Sequence, residues 1–310
     1  MNYKSIAAIA ALACSTGALA QAVGFATLPP GSLNHTTASA VSKVLKERAG
    51  INMLVQPTAG DNVIIPMVNR GESTMGIANA PETAMAMKEA KQADVRLLAV
   101  AHTLQTAFFV RKDSRFRTIA DMKNARVELG YSAMRTIDLL TRAILATAGL
   151  TERDVKAVLV PNVVRGADDF ASGASDMFFF AFGGPKVREI DSSIPLRVLE
   201  IDEQGMAAAR KITPYGFLTS VQPGPIYIGV EKPMKVYSFD NLLLTNAKVP
   251  DDMVYKILDT LEKNKSDLVA VQPVLRAFSA ANGYKRYDMP YHPGALKYYK
   301  EHNIQAKPLE

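Results

Sequence analysis

Short strand-like runs and helix-period runs alternate along almost the whole chain, and this alternation limits the fold more than any motif does. Val23 to Thr27 reads as a strand ending in the turn Pro29-Pro30-Gly31, and the helix after it carries Ala38, Val41, Val44 and Leu45 on one stripe and stops at Gly50. Ile51 to Gln56, Met75 to Ala78, Arg126 to Gly130, Val155 to Val160, Met177 to Ala181 and Leu196 to Ile201 repeat the strand pattern, each followed by a helical stretch. Between Thr136 and Ala148 the apolar positions Ile137, Leu140 and Ile144 recur at helical spacing. Alternation of this kind builds parallel sheets covered by helices, an α/β fold.

Two sets of strand–helix units are joined by extended runs at 97–112 and 225–246. They imply two lobes, the first (21–110 plus 225–310) made from both ends of the chain and the second (111–224) inserted into it. With 310 residues, 48% of them hydrophobic, there is enough material for two cores. The net charge of +6 is dispersed, with no basic block and no interleaved aromatics, so no nucleic-acid partner is expected. No run of about 18 apolar residues suggests a membrane span.

The first residues, MNYKSIAAIAALACSTGALAQA, combine Lys4, an apolar stretch too short to span a bilayer, and Ala18-Leu19-Ala20 before Gln21. They read as a signal peptide, 1–20, cleaved after Ala20. The single cysteine, Cys14, falls inside it. A mature chain with neither thiol nor disulfide suits a bacterial periplasm.

Catalytic constellations are not legible. The four histidines are scattered without metal-ligand spacing, so no metal is expected. There is no G-x-S-x-G, no P-loop and no dinucleotide fingerprint, so neither an enzyme nor a cofactor is indicated. What remains is a set of small, polar loops at the carboxyl ends of strands, where open α/β sheets bind ligands. These supply the candidate ligand residues: Thr27, Gly31, Ser32 and Asn34; Thr58, Gly60 and Asp61; Asn79 and Ala80; Tyr131, Ser132, Arg135 and Thr136; and Phe180, Phe182 and Gly183. Most of the loops lead into helix N-termini, whose free N–H groups favour an anion. Such loops facing each other across a cleft describe a binding protein that closes on a small organic anion.

Three of these residues support two readings each. Arg135 precedes a helix, where a fixed cation is electrostatically awkward; it is either a carboxylate clamp or a salt-bridged surface residue. Asp61 either caps the helix after it or meets a substrate ammonium. Phe180 or Phe182 either joins the core or stacks on a ligand.

Near the end of the chain, HPGALKYYKEHNI begins with His292 as a helix cap and Pro293 in the first turn. Together with TAGDNVIIPMVNRGESTMGIAN, GYSAMRTIDLLTRAILATAGL, SGASDMFFFAFGGP and VQPGPIYIG, it resembles, in order and spacing, the solute-binding subunits of TRAP transporters of the TAXI family. The resemblance implies a type II-like periplasmic binding protein, two mostly parallel sheets flanked by helices with the ligand cleft between lobes. It also implies a carboxylate ligand (a dicarboxylate, a 2-oxo acid or an amino acid such as glutamate) and the membrane subunits of a TRAP permease as partner, with the binding protein itself a monomer. The alternative is a ligand sensor reporting to a membrane kinase. The departures fall in the ligand loops: Gly31-Ser32-Leu33-Asn34 stands in place of Gly-Gly-x-Tyr-Tyr, Gly60-Asp61 in place of Gly-Ser, and Ala133-Met134-Arg135-Thr136 in place of Gly-Ser-Gly-Thr.

Cleavage after Ala20 leaves Gln21 first, which the intact mass of the exported protein reads directly. A mature chain that keeps a lipid-modified Cys14 is the contrary result.

Overall fold

The computed structural model describes residues 23–89, 91–213 and 215–309; the proposed signal peptide lies outside them. The first lobe opens with β1 (Val23–Thr27), α1 (Leu33–Ala49), β2 (Met53–Pro57), α2 (Asp61–Asn69), β3 (Met75–Asn79) and α3 (Ala80–Glu89). A 17-residue strand, β4 (Val95–Arg111), carries the chain into the second lobe. That lobe holds β5 (Arg126–Leu129), α4 (Arg135–Thr147), β6 (Lys156–Leu159), α5 (Val163–Ala171), β7 (Phe178–Ala181), α6 (Pro185–Asp191), β8 (Leu196–Val198), α7 (Met206–Ile212) and β9 (Phe217–Val221). The chain returns through β10 (Met234–Asn246) and finishes with α8 (Asp251–Lys263), α9 (Lys265–Val271), α10 (Ala280–Gly283) and α11 (Pro293–Glu301).

The large sheet runs β2-β1-β3-β10-β4-β7, with β8 added to β4 and β9 to β10; β5 and β6 form a separate parallel pair. β1 pairs in parallel with both β2 and β3, as the strand–helix alternation requires, whereas β10 runs antiparallel to β3 and β4. β4 and β10 therefore belong to both lobes. Near its start β4 pairs with the C-terminal half of β10, and from Thr106 onward it pairs with β7 and then β8.

Local signals explain the helices that frame the cleft. The Ser32 hydroxyl accepts from the His35 N–H at 3.1 Å and so caps α1, whose Ala38, Val41, Val44 and Leu45 are buried as the periodicity predicts. α2 continues through Pro66 without ending there. Phe178, Phe179, Phe180 and Phe182 are all buried; Phe178 stacks on Phe109 at 5.1 Å between ring centroids. Among the described residues no helix is long and apolar enough to cross a membrane.

The closing motif acts as a clasp on the outer face of the first lobe. His292, fully buried, accepts the Gly294 N–H on Nδ1 at 3.1 Å. A Cβ at Gly294 would lie 2.2 Å from the Asp251 carbonyl oxygen, so only glycine lets α11 approach the start of α8 this closely. The paired tyrosines then divide their work. Tyr298 stacks on His302 with centroids 4.1 Å apart, and Tyr299 lies flat on Tyr284 at 4.2 Å while its hydroxyl donates to the Leu98 carbonyl at 2.6 Å. Removing that hydroxyl while keeping the ring, in Tyr299→Phe, should cost about 1 kcal/mol in urea unfolding, and Tyr299→Ala about 3–5 kcal/mol. Equal losses would show that the ring adds nothing beyond the hydroxyl.

Candidate functional site

The lobes meet along a seam held by contacts between loop ends. The Lys186 N–H of α6 donates to the Gly31 carbonyl at 3.1 Å. Gly60, just before α2, faces Ala133 so closely that a Cβ there would sit 1.6 Å from the Ala133 oxygen. Glu82, in the first turn of α3, accepts from the Thr136 N–H at 3.0 Å and also from the Thr136 hydroxyl. This carboxylate thus satisfies orphan donors at the N-terminus of α4 in the other lobe, a cap delivered across the cleft.

At the seam lies a cavity of about 40 Å³. The first lobe supplies Leu28, Ser32, Leu33, Asn34, Asp61 and Asn79, and the shared strands supply Leu104, Thr106 and Phe239. The second lobe closes it with Met134, Ile137 and Val163 and with Phe179, Phe180 and Ala181 of β7. A single water takes up about 10–15 Å³ of such space, so the cavity admits only a few non-hydrogen atoms.

Among the described residues, Asp61 is the only ionisable side chain on these walls. It is 2% exposed, and Gly60, not Asp61, holds the capping position of α2. The capping role weighed for Asp61 is therefore not the one it takes: its side chain turns inward from the first helical position. Oδ2 accepts from Asn79 Nδ2 at 2.8 Å, while Oδ1 has no partner among the described residues. Burial, reinforced by the neighbouring Glu82 charge, pushes the Asp61 carboxyl up to about 8. Asn79 serves two masters, since its Oδ1 also accepts the Glu82 N–H at 2.8 Å and starts α3.

Behind Asn34 lies a neutral polar relay. Asn34 and Asn241 exchange amide hydrogen bonds, and Asn241 Nδ2 reaches His102 Nε2 at 3.4 Å. The Thr37 hydroxyl contacts the same nitrogen at 3.3 Å, and Nδ1 lies 3.3 Å from the Thr103 carbonyl. Burial lowers His102 to about 4, which keeps the ring uncharged, with Nδ1–H as donor and Nε2 as acceptor.

Of the residues singled out from sequence, the structure brings Ser32, Asn34, Asp61, Asn79 and Phe180 to the cavity wall. Gly31, Gly60 and Thr136 are in the seam itself. Thr27 and Ala80 are buried beside it, and Thr58 is spent on hydrogen bonds to the Thr27 and Gly60 carbonyls. Three others go elsewhere. Phe182 packs on Phe109 and Tyr227, and Gly183 lies against Val274 on the far side of the crossing strands. Tyr131 is buried with its hydroxyl donating to Glu128.

The carboxylate clamp expected at Arg135 is not assembled. The side chain is 59% exposed, ion-paired with Glu89 at 3.0 Å, and lines with Ser132 and Tyr131 a separate open crevice of about 530 Å³. Met134 and Ile137 take the inward positions of that helix start, which leaves Arg135 on another face. No Lys or Arg among the described residues replaces it in the cavity.

The residue missed by sequence reasoning is Glu82. Its signal was present: Asn79-Ala80-Pro81-Glu82 has capping-box spacing. A capping box returns the glutamate to its own helix, whereas here it reaches the other lobe.

Closure should hinge on Gly60. In Gly60→Ala the added methyl meets the rigid Ala133 backbone, so the lobes should stay apart, with a radius of gyration by small-angle scattering larger than that of wild type. A variant as compact as wild type would show that the seam yields at this point.

The fold itself is shared with several solved structures. A methylphosphonate complex of PhnD1 from Prochlorococcus marinus superposes with a TM-score of 0.56 at 12% identity, over 92% of this chain and 100% of that one. The alkanesulfonate-binding protein SsuA from Xanthomonas axonopodis pv. citri, bound to MOPS, does so at 0.51 and 13% identity, over 93% and 94%. The likeness to these two-lobed binding proteins is one of fold. The profile of the NMT1-like family matches residues 25–302, nearly every described residue, and the chain belongs to that family.

Proposed function

We propose that this protein is an exported solute-binding protein that closes its two lobes on a small molecule and presents it to a membrane transporter. The observation that carries this reading is the cavity on the seam, walled by both lobes, with the Glu82–Thr136 cap joining the lobes nearby. Neither lobe alone can surround a solute there. A ligand touching both walls favours the closed state by the difference in its contacts between states, a population shift that signals occupancy to a partner.

The resemblance to TAXI subunits makes that partner the membrane part of a TRAP permease. The non-enzymatic reading is supported by the likeness of fold to a methylphosphonate complex and an alkanesulfonate-binding protein. As to the solute, the methylphosphonate and MOPS of the two structural relatives are both anions, as is the carboxylate implied by the TAXI resemblance. An anion in this cavity would face Asp61 with no cation beside it. It would enter only with Asp61 protonated, held by helix N–H groups and the Asp61 proton.

A thermal-shift screen of small carboxylates, sulfonates, phosphonates, amines, amides and amino acids tests the reading. A solute at about 100 times its Kd should stabilise the protein by ~2.7 kcal/mol, and scattering should show no expansion in its presence. A protein that no class of solute stabilises is not a solute receptor of this kind.

A further inference from the structure

Two hydroxyls on the cavity wall have already spent their protons. The Ser32 hydroxyl donates its proton to the Pro29 carbonyl at 2.7 Å, and the Thr106 hydroxyl donates to the Tyr237 carbonyl at 2.7 Å. Both oxygens keep acceptor lone pairs and have no proton left to give. Asp61 Oδ1, fully desolvated, has no partner among the described residues. A buried polar atom without a partner is costly, and once Asp61 ionises that oxygen needs a donor, which a ligand can bring. The remaining walls are aliphatic or aromatic, with Phe179, Phe180 and Phe239 lining the same cavity. Aromatic faces attract cations and give nothing to an anion.

We propose that Asp61 is an ammonium-binding site and that the solute is a compact organic amine, its charged nitrogen against the free Asp61 oxygen and its hydrocarbon body among the apolar walls. This assignment rests on the solute-binding reading above and names its ligand class. The volume of about 40 Å³ restricts the amine to a few non-hydrogen atoms when the lobes are fully closed. A carboxylate–ammonium contact made out of water is charge-assisted and satisfies both partners. Glu82 on α3 is the charged group facing Asp61; Asn79 of β3 and the wall residues of α1, α4, α5 and β7 are neutral. Glu82 adds to the attraction for a cation and to the repulsion of an anion.

The proposal has a proton signature of definite sign. Free of ligand, Asp61 holds its proton up to about pH 8, whereas the ammonium complex requires the carboxylate. Binding below that pH therefore releases a proton into solvent, and affinity for an amine should rise up to ~10-fold per pH unit toward pH 8, then level off. The affinity of an anion that needs the protonated acid stays level up to about pH 8 and falls above it.

The test is calorimetry with methylammonium and ethylammonium chloride, sodium propionate and propionamide at pH 6, 7, 8 and 9, on wild type and on Asp61→Asn. The expected result is alkylammonium binding that strengthens from pH 6 to 8, release of nearly one proton at pH 6, and at least ~10-fold weaker binding in Asp61→Asn. The wild-type pH profile decides the matter even where the variant fails to fold. Propionate or propionamide binding more tightly than the ammonium salts would overturn the amine assignment and leave the solute-binding reading standing. So would ammonium affinity unchanged in Asp61→Asn. Absence of binding by all four probes, with a ligand of another class found in the wider screen, also removes the assignment alone; absence of binding throughout that screen removes both.

Discussion

The antiparallel pairing of β4 with β10 is the interaction on which the remaining architecture depends. Ten residue pairs join the two strands, from Tyr237–Thr106 to Asn246–Val95, with two register shifts along the way. Both strands run through one continuous sheet that the lobes share, so any movement of one lobe against the other is transmitted through them. The cavity sits on them: Leu104, Thr106 and Phe239 are its floor. Polar contacts reinforce the crossing. Asp240, 1% exposed, accepts from the Thr103 and Tyr287 hydroxyls and pairs with Lys285 at 2.7 Å, itself 5.7 Å from the Phe217 ring centroid. A buried ion pair is weak support for stability, yet losing one partner would strand the other. That cost confines how the crossing can rearrange.

The seam differs from the crossing in its chemistry. Its contacts are few, short-ranged and made by loop ends: a backbone hydrogen bond at Gly31, a glycine-sized gap at Gly60, and one carboxylate capping a helix of the opposite lobe. The exposed Arg135–Glu89 pair adds little, since ion pairs in water contribute about 0–1 kcal/mol. Hydrophobic clusters lie behind it. One of these clusters packs α1, α8 and α11 on the outside of the first lobe, and the other continues from α2 along the crossing strands into the second.

Much of the frame was legible from residue order alone. The stripe of α1 and the His292 cap follow from local chemistry, which spacing records. Of the candidate loop residues, Ser32, Asn34, Asp61, Asn79 and Phe180 meet at one cavity. What local chemistry does not record is the direction of a side chain at a helix start. Arg135 and Met134 are neighbours, yet Met134 faces the cavity and Arg135 faces solvent. Asp61 and Glu82 both stand in first helical turns, where spacing alone makes each a candidate cap. One turns into the cavity and the other spans the cleft, and only the position of the opposite lobe decides this.

The place of β10 in the sheet has a consequence for how the chain acquires its structure. β10 lies between β3 and β4, so the edge of β3, made early in synthesis, stays unpaired until residues more than 150 positions later are available. The second lobe, contained within one continuous stretch apart from its share of the crossing strands, has no such wait. Contacts of long sequence separation slow folding because loop-closure entropy is lost before they form. The first lobe is thus the late-forming half, and its nascent β1-β2-β3 ribbon carries an open edge for as long as the chain is incomplete. In a partial chain, that edge is the point where pairing with a second molecule competes with folding.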